Sequence, residues 1–147
     1  MLKKIVKISI LILIIGFFIY RYFFYIDFSN SCYIKIKPSF TELSNSNIKE
    51  AIKILKLTSP DEYDKLCSNV KIINPNLSCG GFGGGCFYKS SGREIDISTA
   101  HSGFLAQTAA IIIHETCHAI QYQEGRNLSE QECYEADDVI LKRIVEY

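Results

Sequence analysis

Apolar side chains dominate the chain from Ile5 to Ile26, broken by Lys7, Ser9 and Arg21. Twenty-two residues of this character are long enough to cross a bilayer as a helix. Beyond them the pattern shortens. Cys32–Lys37 alternates apolar with polar and predicts a strand ended by Pro38. Ile48, Ala51, Ile52 and Leu55 recur at helical spacing and predict a helix over about 47–57. Ser59-Pro60-Asp61-Glu62 predicts a second helix start, with a cap serine, proline at the first position and a glutamate able to close a capping box. Val70–Ile73 predicts a strand stopped by Asn74-Pro75-Asn76. Cys86–Lys89 and Arg93–Ser98 flank Ser90-Ser91-Gly92 as a hairpin, with Ile95 and Ile97 inward and Glu94, Asp96 and Ser98 outward. Two helices close the pattern, Phe104–Gln123 and about 130–146, the second opened by the capping box Ser129-Glu130-Gln131-Glu132. Gly125 is the expected cap between them, with Arg126 in solvent.

The 147 residues suit one domain of α+β class behind the apolar segment, divided as 1–26 and 27–147. Lys3, Lys4 and Lys7 precede the apolar run, so it reads as a signal anchor: basic end in the cytoplasm, single pass, the C-terminal domain outside. A cleaved signal peptide is the rival. Its one candidate small-residue site, Ser29-Asn30-Ser31, comes late. Four of the 16 basic residues and none of the 16 acidic ones lie in 1–26, which leaves the remainder acidic by four charges and argues against nucleic acid as a partner. All six cysteines follow residue 31, an even count that suggests disulfides in an exported domain. Cys79 with Cys86 and Cys117 with Cys133 are candidate pairs. Between the first two, Gly80-Gly81-Phe82-Gly83-Gly84-Gly85 lacks the Lys and Ser/Thr of a phosphate-binding loop and reads as a loop beside a cleft.

The chemistry concentrates in His114-Glu115-Thr116-Cys117-His118, an H-E-x-x-H run. Residues four apart share a helix face, so both imidazoles can reach one metal ion, and Glu115 lies about 100° round. That sets a carboxylate beside metal-activated water, the arrangement of zinc hydrolysis. The preceding Ala109–Ile113 is apolar, which makes the helix a core element where His and Glu are costly unless paired or metal-bound. His101, the third histidine, reads as a loop residue. Tyr88, Tyr122 and Tyr134 are candidate phenols for a developing oxyanion.

His114, Glu115 and His118, with the downstream Glu132–Asp138 segment, resemble the zincin metallopeptidases, specifically the subgroup with glutamate as third zinc ligand. The resemblance covers residues 86–147 at most. It implies Zn2+ as cofactor, a peptide or protein substrate, Glu115 as general base and an edge strand before the motif helix able to bind an extended peptide by strand addition. The third ligand stays open. On a wheel of about 100° per residue, Cys133, Ala136, Asp137, Ile140 and Ile144 share the buried face, Glu132 lies at its edge and Glu135 points away. Glu132 leads, ahead of a Cys133 thiolate and Glu135, with Asp137 as a partner for a histidine N–H. The expected function is a membrane-anchored zinc peptidase. The alternatives are a non-catalytic zincin-like domain and a cysteine-rich exported binding module.

Overall fold

The computed structural model describes residues 2–38, 45–76, 78–79, 84–98 and 105–147. Among them, five helices and five strands follow one another as α1 (Leu2–Phe23), β1 (Phe24–Asp27), β2 (Cys32–Ile36), α2 (Ser46–Thr58), α3 (Pro60–Asn69), β3 (Ile72–Pro75), β4 (Gly85–Phe87), β5 (Glu94–Ile97), α4 (Leu105–Gln123) and α5 (Glu130–Val145). The class is α+β, as expected. His101 and Gly80–Gly83 lie outside the described residues.

The apolar run from Ile5 to Ile26 divides at Phe23. Up to that point it is helix, with large side chains such as Leu13 and Phe18 facing outward, long and apolar enough to cross a membrane. Phe24–Ile26, taken from sequence as the end of the span, instead forms with Asp27 a strand antiparallel to β2, Phe24 opposite Lys35 and Asp27 opposite Cys32. The reason is local chemistry. Aromatic and β-branched residues suit a pleated surface as well as a bilayer. Asp27 finds its partners in the domain, accepting hydrogen bonds from the Lys56 ammonium and, at 2.7 Å, from the Tyr63 hydroxyl. These hold its carboxyl well below the usual carboxylate range. Tyr25 is buried, its hydroxyl 3.2 Å from that of the fully buried Tyr63.

The sheet is small, open and mixed, in the order β1-β2-β3-β5-β4. β2, β3 and β5 run parallel; β1 and β4 are antiparallel edges. β2 shows the alternation its sequence predicts, with Cys32, Ile34 and Ile36 buried and Tyr33 and Lys35 outward. Ile34, Ile36, Ile73, Ile95 and Ile97 pack against Ile48, Ile52 and Leu55 of α2, Leu66 of α3 and Ile112 and Ile113 of α4 in one core. Truncating one such buried isoleucine to alanine costs about 2–5 kcal/mol. Asp96 departs from its outward, solvated expectation. It is buried, and Asn74 and Asn76 each donate a side-chain N–H to it at 2.6 and 2.7 Å, satisfying a carboxylate that would otherwise be expensive there. Ser59 also differs. It starts α3 without a side-chain cap; its backbone N–H goes to the Leu55 carbonyl of α2, and Glu62 pairs with Lys65, so neither half of the expected box forms.

Three disulfides join the layers. Cys32–Cys67 ties β2 to the end of α3, Cys79–Cys86 reaches β4, and Cys117–Cys133 links α4 to α5. The latter two are the candidate pairs. Closing 35 residues in the first contributes roughly 3–4 kcal/mol in the chain-entropy picture. Such a framework belongs in an oxidising compartment.

The Asp27 pair generates a pH prediction. Its folded carboxyl is depressed, so its contribution is complete above the unfolded value of about 4 and fades as pH falls through the lower folded value. Asp27→Asn is therefore expected to lower the melting temperature at pH 7, with the gap to the parent narrowing progressively below about pH 4 in thermal melts.

Candidate functional site

α4 packs against α2, α3, α5 and strands β4 and β5, which makes it the central element. Small residues allow this: Ala109, Ala110 and Ala119 are all buried against neighbours. The face turned toward β4 and α5 carries the polar motif. His114, Glu115 and His118 line a cleft of about 530 Å³ together with Gly84–Phe87 of the β4 edge, Ile111, Leu128 and residues of α5.

The two imidazoles lie one turn apart, ring centroids 4.9 Å from each other, and their Nε2 atoms converge. His114 Nε2 is 3.2 Å and His118 Nε2 3.3 Å from the same oxygen, Oε2 of Glu130. The opposite nitrogens are occupied. His114 Nδ1 is 3.0 Å from Asp137 Oδ2, and His118 Nδ1 is 3.2 Å from Gln121 Oε1. Where Nδ1 donates, Nε2 carries a lone pair. Two such lone pairs aimed at a carboxylate oxygen repel it unless a positive charge is shared among them, either protons on the rings or a metal ion. His114, His118 and Glu130 offer ligand atoms within 4.8 Å of one another, the two-imidazole, one-carboxylate donor set that suits zinc.

Glu115 is buried beside this set, 4% exposed, and its carboxyl is pushed up to about 8 by burial, reinforced by the Glu130 and Asp96 carboxylates. A dication held among the three donors would supply an opposing charge that favours its ionised form. Burial likewise raises the Asp137 carboxyl, while its bond to His114 acts in the other direction. Of the three candidate phenols, Tyr134 lines the cleft, its ring centroid 4.8 Å from that of His114. Tyr88 lies by Cys79, and Tyr122 packs on Phe87.

The expectation for the third ligand falls on Glu132. Glu132 is not brought to the imidazoles; its carboxylate receives Arg126 Nη1 at 2.8 Å and Gln121 Nε2 at 2.9 Å. Arg126 is thus an ion-pairing residue as well as a partly exposed one. Cys133 is committed to its disulfide, and Glu135 accepts from Gln131 on the exposed side. Glu130, at the first position of α5, reaches the histidines instead. Its signal was present, since residues seven apart recur on one helix face and Glu130 precedes Asp137 by seven. It is not among the candidate ligands read from the sequence, which begin at Glu132. The capping box forms only in part: Ser129 Oγ accepts from the Glu132 backbone N–H, which leaves the Glu130 carboxylate free to turn inward. Asp137 occupies the place expected of it.

The glycine at the start of β4 is a packing requirement. A Cβ on Gly85 lies 2.6 Å from both Cγ and Oε1 of Glu115 and 2.8 Å from Ile111 Cγ2. Gly85→Ala is expected to destabilise by about 1–3 kcal/mol in denaturant melts, and much of that loss to disappear in a Glu115→Ala background, because the two side chains claim one space. No protein-family model, curated protein or solved structure matches the chain, so a functional reading stands on this geometry.

Proposed function

We propose that the chain is a zincin-type, zinc-dependent peptidase, anchored by α1 with its domain on the outer face of a membrane. The observation that carries the reading is the convergence of His114 Nε2, His118 Nε2 and Glu130 Oε2 within hydrogen-bond reach, beside the buried Glu115. His114, His118 and Glu130 would hold the ion. When bound, it supplies Lewis-acid polarisation of a carbonyl and acidification of water. Glu115 takes the proton of the attacking water and passes it to the leaving amine. Tyr134 lies at the cleft rim where a phenol can donate to a developing oxyanion. The substrate is an extended peptide laid along β4, a sheet edge whose outer backbone groups are available for strand addition, with Phe87, Ile111 and Leu128 as apolar wall.

Retention of α1 is supported by β1. Cleavage after Ser31 removes a strand whose Tyr25 is buried and whose Asp27 holds Lys56 and Tyr63. Lys49 also donates to the Arg21 and Tyr22 carbonyls at the end of α1, tying helix to domain.

The test is elemental analysis and peptide-pool hydrolysis on the full chain in detergent. One equivalent of zinc is expected, lost in His114→Ala and His118→Ala. Glu115→Gln is expected to keep zinc and fold while losing roughly 10²–10⁴ in hydrolysis rate. Zinc retained by a parent protein that cleaves nothing favours the non-catalytic alternative; a metal-free parent removes both.

A further inference from the structure

Gln121 has no role in the chemistry above, yet it is fully buried and every polar atom of its side chain is engaged beside the site. Its Oε1 accepts from the Ser129 backbone N–H at 3.0 Å and faces His118 Nδ1 at 3.2 Å. Its Nε2 donates to the Ser129 carbonyl at 3.2 Å and to Glu132 Oε2 at 2.9 Å. The orientation of this amide is determined by its surroundings. Turning it over sets Oε1 against the Glu132 carboxylate and the Ser129 carbonyl, and Nε2 against the Ser129 N–H, three repulsions in place of three hydrogen bonds.

Glu132 enforces that choice because it remains an acceptor. Arg126 grips both of its oxygens through Nη1 and Nη2 at 2.8–3.1 Å, and the guanidinium is tied back by its own backbone N–H to the Gln121 carbonyl. The second neighbour of His118 Nδ1 gives the same answer. Cys133 Sγ lies 3.5 Å away, and as half of the Cys117–Cys133 disulfide it has no proton to donate. Both atoms facing Nδ1 therefore accept only.

We infer that Gln121 is a positioning residue: through the relay Arg126–Glu132–Gln121 it holds a proton at His118 Nδ1, so that Nε2, which faces Glu130, is the nitrogen available to a metal. The inference rests on the metal-site reading for its purpose but not for its test. It also gives the two imidazoles unlike supports. His114 donates to a carboxylate, Asp137, whereas His118 donates to a neutral amide. A carboxylate partner makes the imidazole more electron-rich, so His114 is the stronger donor of the pair. Glu132 thereby acts on the site after all, through Gln121.

The experiment uses the full chain in detergent micelles, stripped of metal, with long-range proton–nitrogen NMR of the histidine rings. The parent is expected to show His118 carrying a proton at Nδ1, either as the Nδ1–H tautomer or, with Glu130 beside Nε2, as the doubly protonated ring. Gln121→Met, which keeps volume but removes the acceptor, is expected to show a tautomer mixture. Zinc affinity, measured against a competing chelator, is expected to fall about 10–100-fold. Glu132→Gln changes a half-exposed position without touching the core; it frees the amide to turn and is expected to give a smaller change in the same direction in both readouts. A neutral His118 protonated only at Nε2 in the parent overturns the inference, as do unchanged ring nitrogen shifts and zinc affinity in both variants. Failure of the parent to bind zinc, with His118 still protonated at Nδ1, sinks the peptidase reading and leaves the Gln121 assignment standing.

Discussion

The site depends on the clamp between α4 and α5. α4 is fixed by its apolar contacts on three sides, whereas α5 buries only Cys133 and Ile140 completely. Burial of so little apolar surface is a weak hold for a helix carrying the Glu130 and Asp137 carboxylates to two histidines. The Cys117–Cys133 disulfide supplies the rest, starting within the H-E-x-x-H run itself and ending one turn into α5. The Gln121 amide adds a second tie to the Ser129 backbone, at the point where α5 begins. A covalent link and a satisfied buried amide together reinforce the partly buried apolar face that α5 presents through Ala136, Ile140, Leu141 and Ile144.

The same economy explains the N-terminal end. One apolar stretch serves two environments, a helix outside the domain and a strand inside it, and the change occurs between Phe23 and Phe24 with no linker. Asp27 marks the far limit of the strand because its charge is satisfied by Lys56 and Tyr63, groups brought there by α2 and α3. The Cys32–Cys67 disulfide then ties β2 to α3, so β1, β2 and α3 are held as one corner of the fold.

Much of this was legible in the residues. Alternation identified β2, helical spacing identified α2, α4 and α5, and the Ser-Ser-Gly segment identified the turn between β4 and β5. Two of the three disulfides were among the candidate pairs, although six cysteines alone do not determine a connectivity. The failures share a cause. Phe24–Asp27 was hidden because hydropathy does not distinguish a membrane span from a buried edge strand when the residues are aromatic and β-branched. Glu130 was hidden because the candidate ligands read from the sequence begin at Glu132, and nothing local marks a residue at the first position of α5 as facing α4. Gly85 was read as part of a loop, whereas its lack of a Cβ makes room for Glu115.

By itself, then, the order of residues determined the periodic elements and the two imidazoles with their neighbouring acid, because helix geometry converts a spacing of four into a shared face. Which carboxylate joins them, and which amide orients them, was decided only in three dimensions. Glu130, Glu132 and Gln121 are all polar side chains near α5, and their roles differ by the partner each one meets: imidazoles for the first, a guanidinium for the second, an imidazole and the Ser129 backbone for the third. Those partners come from separate segments whose approach is set by packing across the core, and no local pattern encodes that approach.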